Sequence, residues 1–417
     1  MLAFNSYIDH FVKIWESGTD SLPLFKRSYS KREQKEKEGL FSKFEEKATS
    51  YQKGKDLRKL RESEPGTIFF PLFHSFLRDI FDFEPDQLEI ILSEEFKFVS
   101  RDFFYKARQF APELSPENIY QAMRNAWIMN SIQLMMNLPV EITPSVFAYS
   151  MIYPYSDNLL DNPEITSEEK QEFSHRFNQR LHGEKPHPNN HTESQLFRLV
   201  EMFEEQYPRH SFPEVYDSLY IIQQAQTRSL KLIHCDDIND ITVREICFEK
   251  GGASVLADGY LVAGHLTPVQ EQAIFGYGIY LQLLDDLQDM KEDQEAHTRT
   301  MLSCLTGVAH LEAFVNRAIH FGRQALDELR FFNGCNMDAL LRLMNHSVEM
   351  MIVESVGLNP EFYTSEYLAT LEIFSPLRFE FIRQKRNQSG SQRFAFFKKY
   401  FDQIPSSANF QKSSTMI

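Results

Sequence analysis

The sequence predicts an all-α protein, and three observations carry the prediction. Apolar residues recur at helical spacing from about Thr67 to about Phe397. Proline repeatedly follows a Ser or Thr, the pattern of an N-cap with proline at the first helical position. Alternating β-branched runs between tight Gly/Asn turns are few, so strand signals are weak. About ten or more helices are expected, with no internal repeat.

In chain order, residues 1–65 read as a charged N-terminal segment, helical or mobile. Its stretch "KREQKEKEGLFSKFEEKATSYQKGKDLRKLRESEPG" mixes both signs, as a solvated helix does. The main domain is placed at 66–397. Within it, Ser115-Pro116, Thr143-Pro144 and Thr267-Pro268 mark helix starts, and Thr166–Glu169 and Thr242–Glu245 fit the capping box. The tail, 398–417, is polar and expected to be loose.

With 417 residues, 42% of them hydrophobic, the chain can bury a large core. A net charge of −15 argues against a broad nucleic-acid surface. The four cysteines form no CxxC pair, so neither a zinc ribbon nor a disulfide framework is indicated, and a reducing, cytoplasmic setting is expected. The start, "MLAFNSYIDHFVKIW", lacks the layout of a signal peptide, and no apolar run approaches the ~18 residues of a membrane span. The 37 phenylalanines fit an interior for an apolar ligand and equally an ordinary core.

Two acidic rows carry the chemistry. The helix from Thr143 ends in "YPYSDNLLDNP", with Asp157 and Asp161 one turn apart on one face. Like charges at that spacing repel, and a helix C-terminus already carries negative partial charge. A bound cation would relieve both costs; a solvated face is the plainer alternative. The helix from Thr267 is largely apolar for four turns and then presents Asp285, Asp286, Asp289 and Asp293. Asp285, Asp289 and Asp293 form an i, i+4, i+8 row that runs back through Leu281 or Gln282 to Gly278. Gly276 and Gly278 cost about 1 kcal/mol each against alanine in a helix. Close approach of a ligand, or of a neighbouring helix, would account for them. Mg²⁺ is commonly held by one or two carboxylates plus substrate phosphates. Two acidic rows facing each other over apolar faces would grip a diphosphate and enclose a hydrocarbon chain.

On these elements the chain resembles the class I isoprenoid synthase superfamily: trans-prenyl diphosphate synthases, squalene/phytoene synthases and class I terpene synthases. "SDNLLD" (156–161) matches the first Asp-rich motif and "LLDDLQDMKED" (283–293) the second. "EKGGASVLADGYLVAG" (249–264) looks like the family's kinked, glycine-containing helix near the diphosphate. The resemblance is strongest to the large bacterial terpene synthases and covers roughly residues 95–300. It implies a helical bundle around a central apolar cavity, three Mg²⁺ ions, a linear prenyl diphosphate of C20 or longer as substrate, and release of diphosphate. The implied enzyme is a Mg²⁺-dependent terpene synthase, a carbon–oxygen lyase that cyclises or deprotonates the carbocation. Prenyl transfer in the same fold, by head-to-head condensation or chain elongation, is the alternative. Ser156 stands where elongases have a leading aspartate, which favours cyclisation. The metal-binding set in the second motif reads either as Asp285, Asp286 and Asp289 or as Asp285, Asp289 and Asp293.

Positive charge for the leaving diphosphate is expected from Arg228, Lys231, Lys250 and Arg299. Lys250 precedes Gly251-Gly252, where a helix break would aim backbone N–H groups at an anion. Tyr153, Tyr277, Gly278, Leu281 and Gln282 are the expected cavity residues, and Tyr149, Tyr155 and Tyr280 are further candidates for carbocation contact or plain core. The literal DDxxD at 236–240 is set aside as a linker and helix start. His182, His187 and His191 lie in a Pro/Asn loop with no shared face, so zinc is set aside. Asp258 is expected to hydrogen-bond across helices or to help shape the cavity, the structural role being preferred. A non-catalytic helical scaffold is the reading from a different class. A homodimer stays open.

Overall fold

The computed structural model describes residues 4–52, 66–160, 165–233, 238–303, 305 and 307–389. Its helices are α1 (Phe4–Ser17), α2 (Lys31–Gln52), α3 (Gly66–Phe81), α4 (Pro85–Ile91), α5 (Glu94–Phe110), α6 (Pro116–Met135) and α7 (Pro144–Leu160). They continue as α8 (Ser167–Leu181), α9 (His191–Gln206), α10 (Pro213–Ser229), α11 (Asp240–Ala263), α12 (Pro268–Gln288) and α13 (Met290–Glu295). The last are α14 (Val308–Glu328), α15 (Met337–Leu358), α16 (Ser365–Glu372) and α17 (Phe379–Ser389). Among the described residues there is no strand; Ile233 and Thr298 form an isolated antiparallel bridge. The fold is all-α, and no described helix is long and apolar enough to cross a membrane.

Local chemistry sets the helix starts. Ser115 Oγ accepts from Asn118 N ahead of Pro116, and Thr143 Oγ1 accepts from Val146 N at 3.2 Å ahead of Pro144. Thr166 with Glu169 and Thr267 with Gln270 complete capping boxes. One start differs from expectation. The cap of α11 is Asn239, whose side chain accepts from Thr242 N at 2.9 Å, so Thr242 is already inside the helix.

At the centre, α11 and α12 pack antiparallel along their lengths. Both are buried nearly all round, which is why neither sequence shows a clean polar face. The glycines make this closeness possible. A Cβ on Gly251 would stand 2.8 Å from the Gly278 carbonyl oxygen, and one on Gly252 would strike the Phe275 ring. The expected break at Gly251-Gly252 is therefore absent: α11 runs unbroken from Asp240 to Ala263 and ends at Gly264, where φ is +75°. The pair serves helix–helix contact rather than an anion-facing kink. Gly278 does the same from the other side, whereas Gly276 seats the ring of Phe11.

That seat ties α1 to the main body. α1 buries Tyr7, Ile8, Phe11 and Trp15 in the common core. Tyr7 and Tyr260 each donate a hydrogen bond to the buried Glu271 carboxylate, at 2.8 and 2.7 Å. The charged α2 is pinned by Lys37, which donates to the carbonyls of Asp79 and Ile80, and by Glu38, which pairs with Arg378.

Candidate diphosphate site

Helix registration carries the C-terminal end of α7 and the Asp285–Asp293 row toward one end of the bundle. α7 lies antiparallel to α11: Ser145 Oγ donates to the Leu261 carbonyl at 2.7 Å, and Tyr149 OH to the Ser254 carbonyl at 3.3 Å. Continuing that register along α7 carries Asp157 toward the level of Lys250. On the other side of α11, Gly259 faces Ile274 and Gly251 faces Gly278 and Gln282. That register carries Asp285 to Asp293 to the same end. Asp157 is in α7, but its side chain lies outside what is described, and Asp161 lies outside the described residues. α7 also contains Pro154, which has no N–H to give the Ser150 carbonyl one turn back.

The second acidic row keeps its stacking through a small irregularity. α12 ends at Gln288, and Asp289 joins it to α13 with φ −100° and ψ 10°. Asp289 N still bonds to Asp285 O at 2.9 Å and Asp293 N to Asp289 O at 2.8 Å, so the i, i+4, i+8 row survives. Asp285 and Asp289 are exposed, Asp293 is half-buried and Asp286 is 4% exposed. Gln282 Nε2 donates to Asp286 Oδ1 at 2.8 Å, while Asp286 Oδ2 is buried without a partner.

Crowding of like charge marks this row. Burial pushes the Asp286 carboxyl up to about 7, and the charges of Asp285 and Asp293 add to the rise. Asp289 and Asp293 are each raised to about 6, first by loss of surrounding water and then by neighbouring carboxylates. Lys250, half-buried on α11, opposes the rise at Asp286 and Asp293. Two cations not anticipated from sequence, Arg124 on α6 and Arg386 on α17, oppose it at Asp289.

These oxygens suit a hard divalent cation such as Mg²⁺. The unpartnered, buried Asp286 Oδ2 is the observation that fits one, because a bound cation would supply its missing partner. Among the described residues no three His, Cys, Asp or Glu side chains converge on one point. Such convergence is not required where substrate oxygens and waters complete the shell.

The remaining candidates separate. Lys250 makes no hydrogen bond or ion pair at contact distance with any described residue. Arg228 is paired with Glu249 and lies 3.9 Å from Glu245. Lys231 is exposed in a short 3₁₀ turn, Leu230–Leu232. Arg299 donates to the Ile238 carbonyl at 2.6 Å and to Asp240 at 3.2 Å, tying the segment after α13 to the start of α11. Asp240, from the 236–240 run, is thus engaged at a helix start, and Asp236 and Asp237 lie outside the described residues.

Of the tyrosines, Tyr153 is 52% exposed near the acidic end, and Tyr149 is half-buried beside Ser254. Tyr155 donates to Glu113 at 2.6 Å on another side of α7, and Tyr280 is fully buried against Gly322 of α14. Both are core residues. Tyr277 is buried, and Leu281 and Gln282 are half-buried. His182 stacks on Tyr220 at 4.0 Å, while His191 pairs with Glu113.

No family model matches the chain, and no curated protein matches it. Among solved structures it is similar to a geranylgeranyl pyrophosphate synthetase from the archaeon Geoglobus acetivorans, with 15% identity, 62% of this chain and 98% of that chain covered, and a TM-score of 0.42. It is similar to a decaprenyl diphosphate synthase from Rhodobacter capsulatus at 11% identity, covering 64% of this chain and 98% of that one, TM-score 0.38. It is similar also to a geranylgeranyl pyrophosphate synthetase from Pyrococcus horikoshii Ot3 at 15% identity, covering 70% and 99%, TM-score 0.34.

Proposed function

We propose that this protein acts on a linear prenyl diphosphate, of C20 or longer, ionising it with Mg²⁺ and releasing diphosphate. One observation carries the reading: a row of carboxylates, one with an unpartnered buried oxygen, at the end of an apolar helix, within electrostatic reach of Lys250, which makes no ion pair at contact distance with a described residue. Registration of α7 on α11 supports adding Asp157 and Asp161 to the same end. Asp157, Asp161, Asp285, Asp286, Asp289 and Asp293 would hold Mg²⁺, which supplies Lewis-acid stabilisation of the leaving diphosphate when bound.

The chain's own residues do the rest. Lys250 neutralises part of the charge that develops on the leaving oxygens. Arg124 and Arg386 stand near enough to Asp289 to share that task. Gln282 orients Asp286 through its Oδ1 and leaves Oδ2 for a ligand. The apolar inner faces of α7, α11 and α12 keep water from the cation formed when the carbon–oxygen bond breaks.

Two fates separate the finer classes. Attack by a second prenyl substrate would build a longer diphosphate, the product class in the names of the similar structures. Internal attack or proton loss would give a hydrocarbon, the outcome that Ser156 in place of a leading aspartate favours. Wild-type protein with single C15, C20, C25 and C35 diphosphates, Mg²⁺ and mass analysis of products separates them. Asp285→Ala and Asp157→Ala are expected to abolish Mg²⁺-dependent diphosphate release; wild-type turnover in both would sink the proposal.

A further inference from the structure

α11 carries Lys250, Ser254 and Asp258 at i, i+4 and i+8, on one face. Asp258 therefore lies about 12 Å further along the helix than Lys250, at a rise of about 1.5 Å per residue. It is 0% exposed, its Oδ1 accepts from Asn125 Nδ2 at 3.2 Å, and its Oδ2 has no partner. Asn125, on α6, reaches Ser150 Oγ of α7 with the same nitrogen, at 3.3 Å. Both bonds turn the amide nitrogen inward. The Asn125 carbonyl oxygen accepts no hydrogen bond from any described residue, and the side chain is only half-buried. Ser254 and Tyr149, which touch across α11 and α7, are half-buried as well. Three helices thus meet at this cluster, and Asn125, Tyr149 and Ser254 each keep part of their surface accessible. Half-buried Ile128 and Ile152 are apolar neighbours along α6 and α7.

A buried carboxyl with one unsatisfied oxygen destabilises a fold, and a leucine there would not. A hydrocarbon tail gives such a cluster nothing to bind. A tail that has become cationic does. Resting on the diphosphate-ionising reading above and on its internal-attack outcome, we infer that the Asn125 carbonyl oxygen contacts the substrate chain and stabilises positive charge that has moved away from the diphosphate end, with Asp258 and Ser150 as positioning residues. In the step concerned, the carbon–oxygen bond has already broken and its electron pair has left with diphosphate. The π pair of a distal double bond then closes on the cationic carbon, and the charge passes to a distal carbon facing Asn125 Oδ1. A neighbouring carbon finally gives its proton to the released diphosphate. The aligned amide dipole acts there as fixed dipoles do at developing charge elsewhere, and the Tyr149 ring offers a second electron-rich surface.

The test compares products per diphosphate released in wild type, Asn125→Leu, Asp258→Leu and Asp258→Asn, using the prenyl diphosphate that the wild type turns over best. Asn125→Leu and Asp258→Leu are expected to lower the share of the wild-type main product by roughly 3- to 10-fold, the worth of one polar contact. Asp258→Asn keeps an acceptor for Asn125 and is expected to restore that share. A melting-temperature rise with Mg²⁺ and inorganic pyrophosphate reports whether each variant is folded; if Asn125→Leu is not, Asn125→Ser replaces it. Unchanged products in the folded Asn125 variant overturn the inference, and so does a shift in Asp258→Asn as large as in Asp258→Leu. Absence of diphosphate release by the wild type is a separate result that overturns the reading of the site itself.

Discussion

Asp286 shows what the acidic row asks of a single residue. Its carboxyl is nearly inaccessible, is raised to about 7 and leaves one oxygen unpaired. Asparagine would keep the acceptor for Gln282 and remove the ionisable group. Without Mg²⁺, Asp286→Asn is expected to raise the melting temperature at pH 8 by about 2 °C or more, as a gain on the order of 1 kcal/mol would. The same variant should lose most of the further rise given by Mg²⁺ with pyrophosphate. Differential scanning calorimetry reads both, and a variant no more stable than wild type at pH 8 would contradict the proposed strain. The acidic row itself was legible in sequence because i, i+4, i+8 spacing survives folding. Arg124, Arg386 and Asn125 were not, because each reaches its partners from a remote helix and belongs to no local pattern.

The central helix pair fixes where that row stands. Gly251 and Gly278 let two backbones meet, and alanine at either position places a methyl group against the other's peptide. Gly278→Ala is expected to destabilise the protein by about 1–3 kcal/mol, the ordinary cost of overpacking, measured as a lower urea midpoint at unchanged slope. A stability equal to wild type would mean that α11 and α12 stand further apart. Capped helix starts such as Ser115, Thr166 and Thr267 could be read from sequence because a cap is satisfied within four residues. The α11 start was misplaced because Asn239 and Thr242 both carry capping signals three residues apart, and Asn239 is the one that caps. Gly251-Gly252 was misread as a break because a glycine pair looks the same whether a helix bends or a neighbour approaches. Burial of α1 did have a signal: Tyr7, Ile8, Phe11 and Trp15 recur on one face.

At the scale of the whole molecule, the raised carboxyls make stability depend on pH. Between the ordinary aspartate value of 3.8 and about 6 to 7, the folded protein keeps protons on Asp286, Asp289 and Asp293 that the unfolded chain has released. Stability from these groups therefore falls as pH rises through that window and levels off above about 7. The melting-temperature gap between Asp286→Asn and wild type is accordingly expected to widen from pH 5 to pH 8; a constant gap would refute the raised value. Mg²⁺ with pyrophosphate acts in the opposite sense, because binding needs the ionised carboxylates and so strengthens as pH rises. At a ligand concentration of 100 times Kd it should add about 2.7 kcal/mol. The seat of α1 has a consequence for how the chain is made. Tyr7 leaves the ribosome 264 residues ahead of its partner Glu271. At about 5–20 residues per second, that is roughly 13–50 seconds in which the aromatic face of α1 has no place to dock. For that interval the apolar face of α1 stays uncovered by its native partners on the nascent chain.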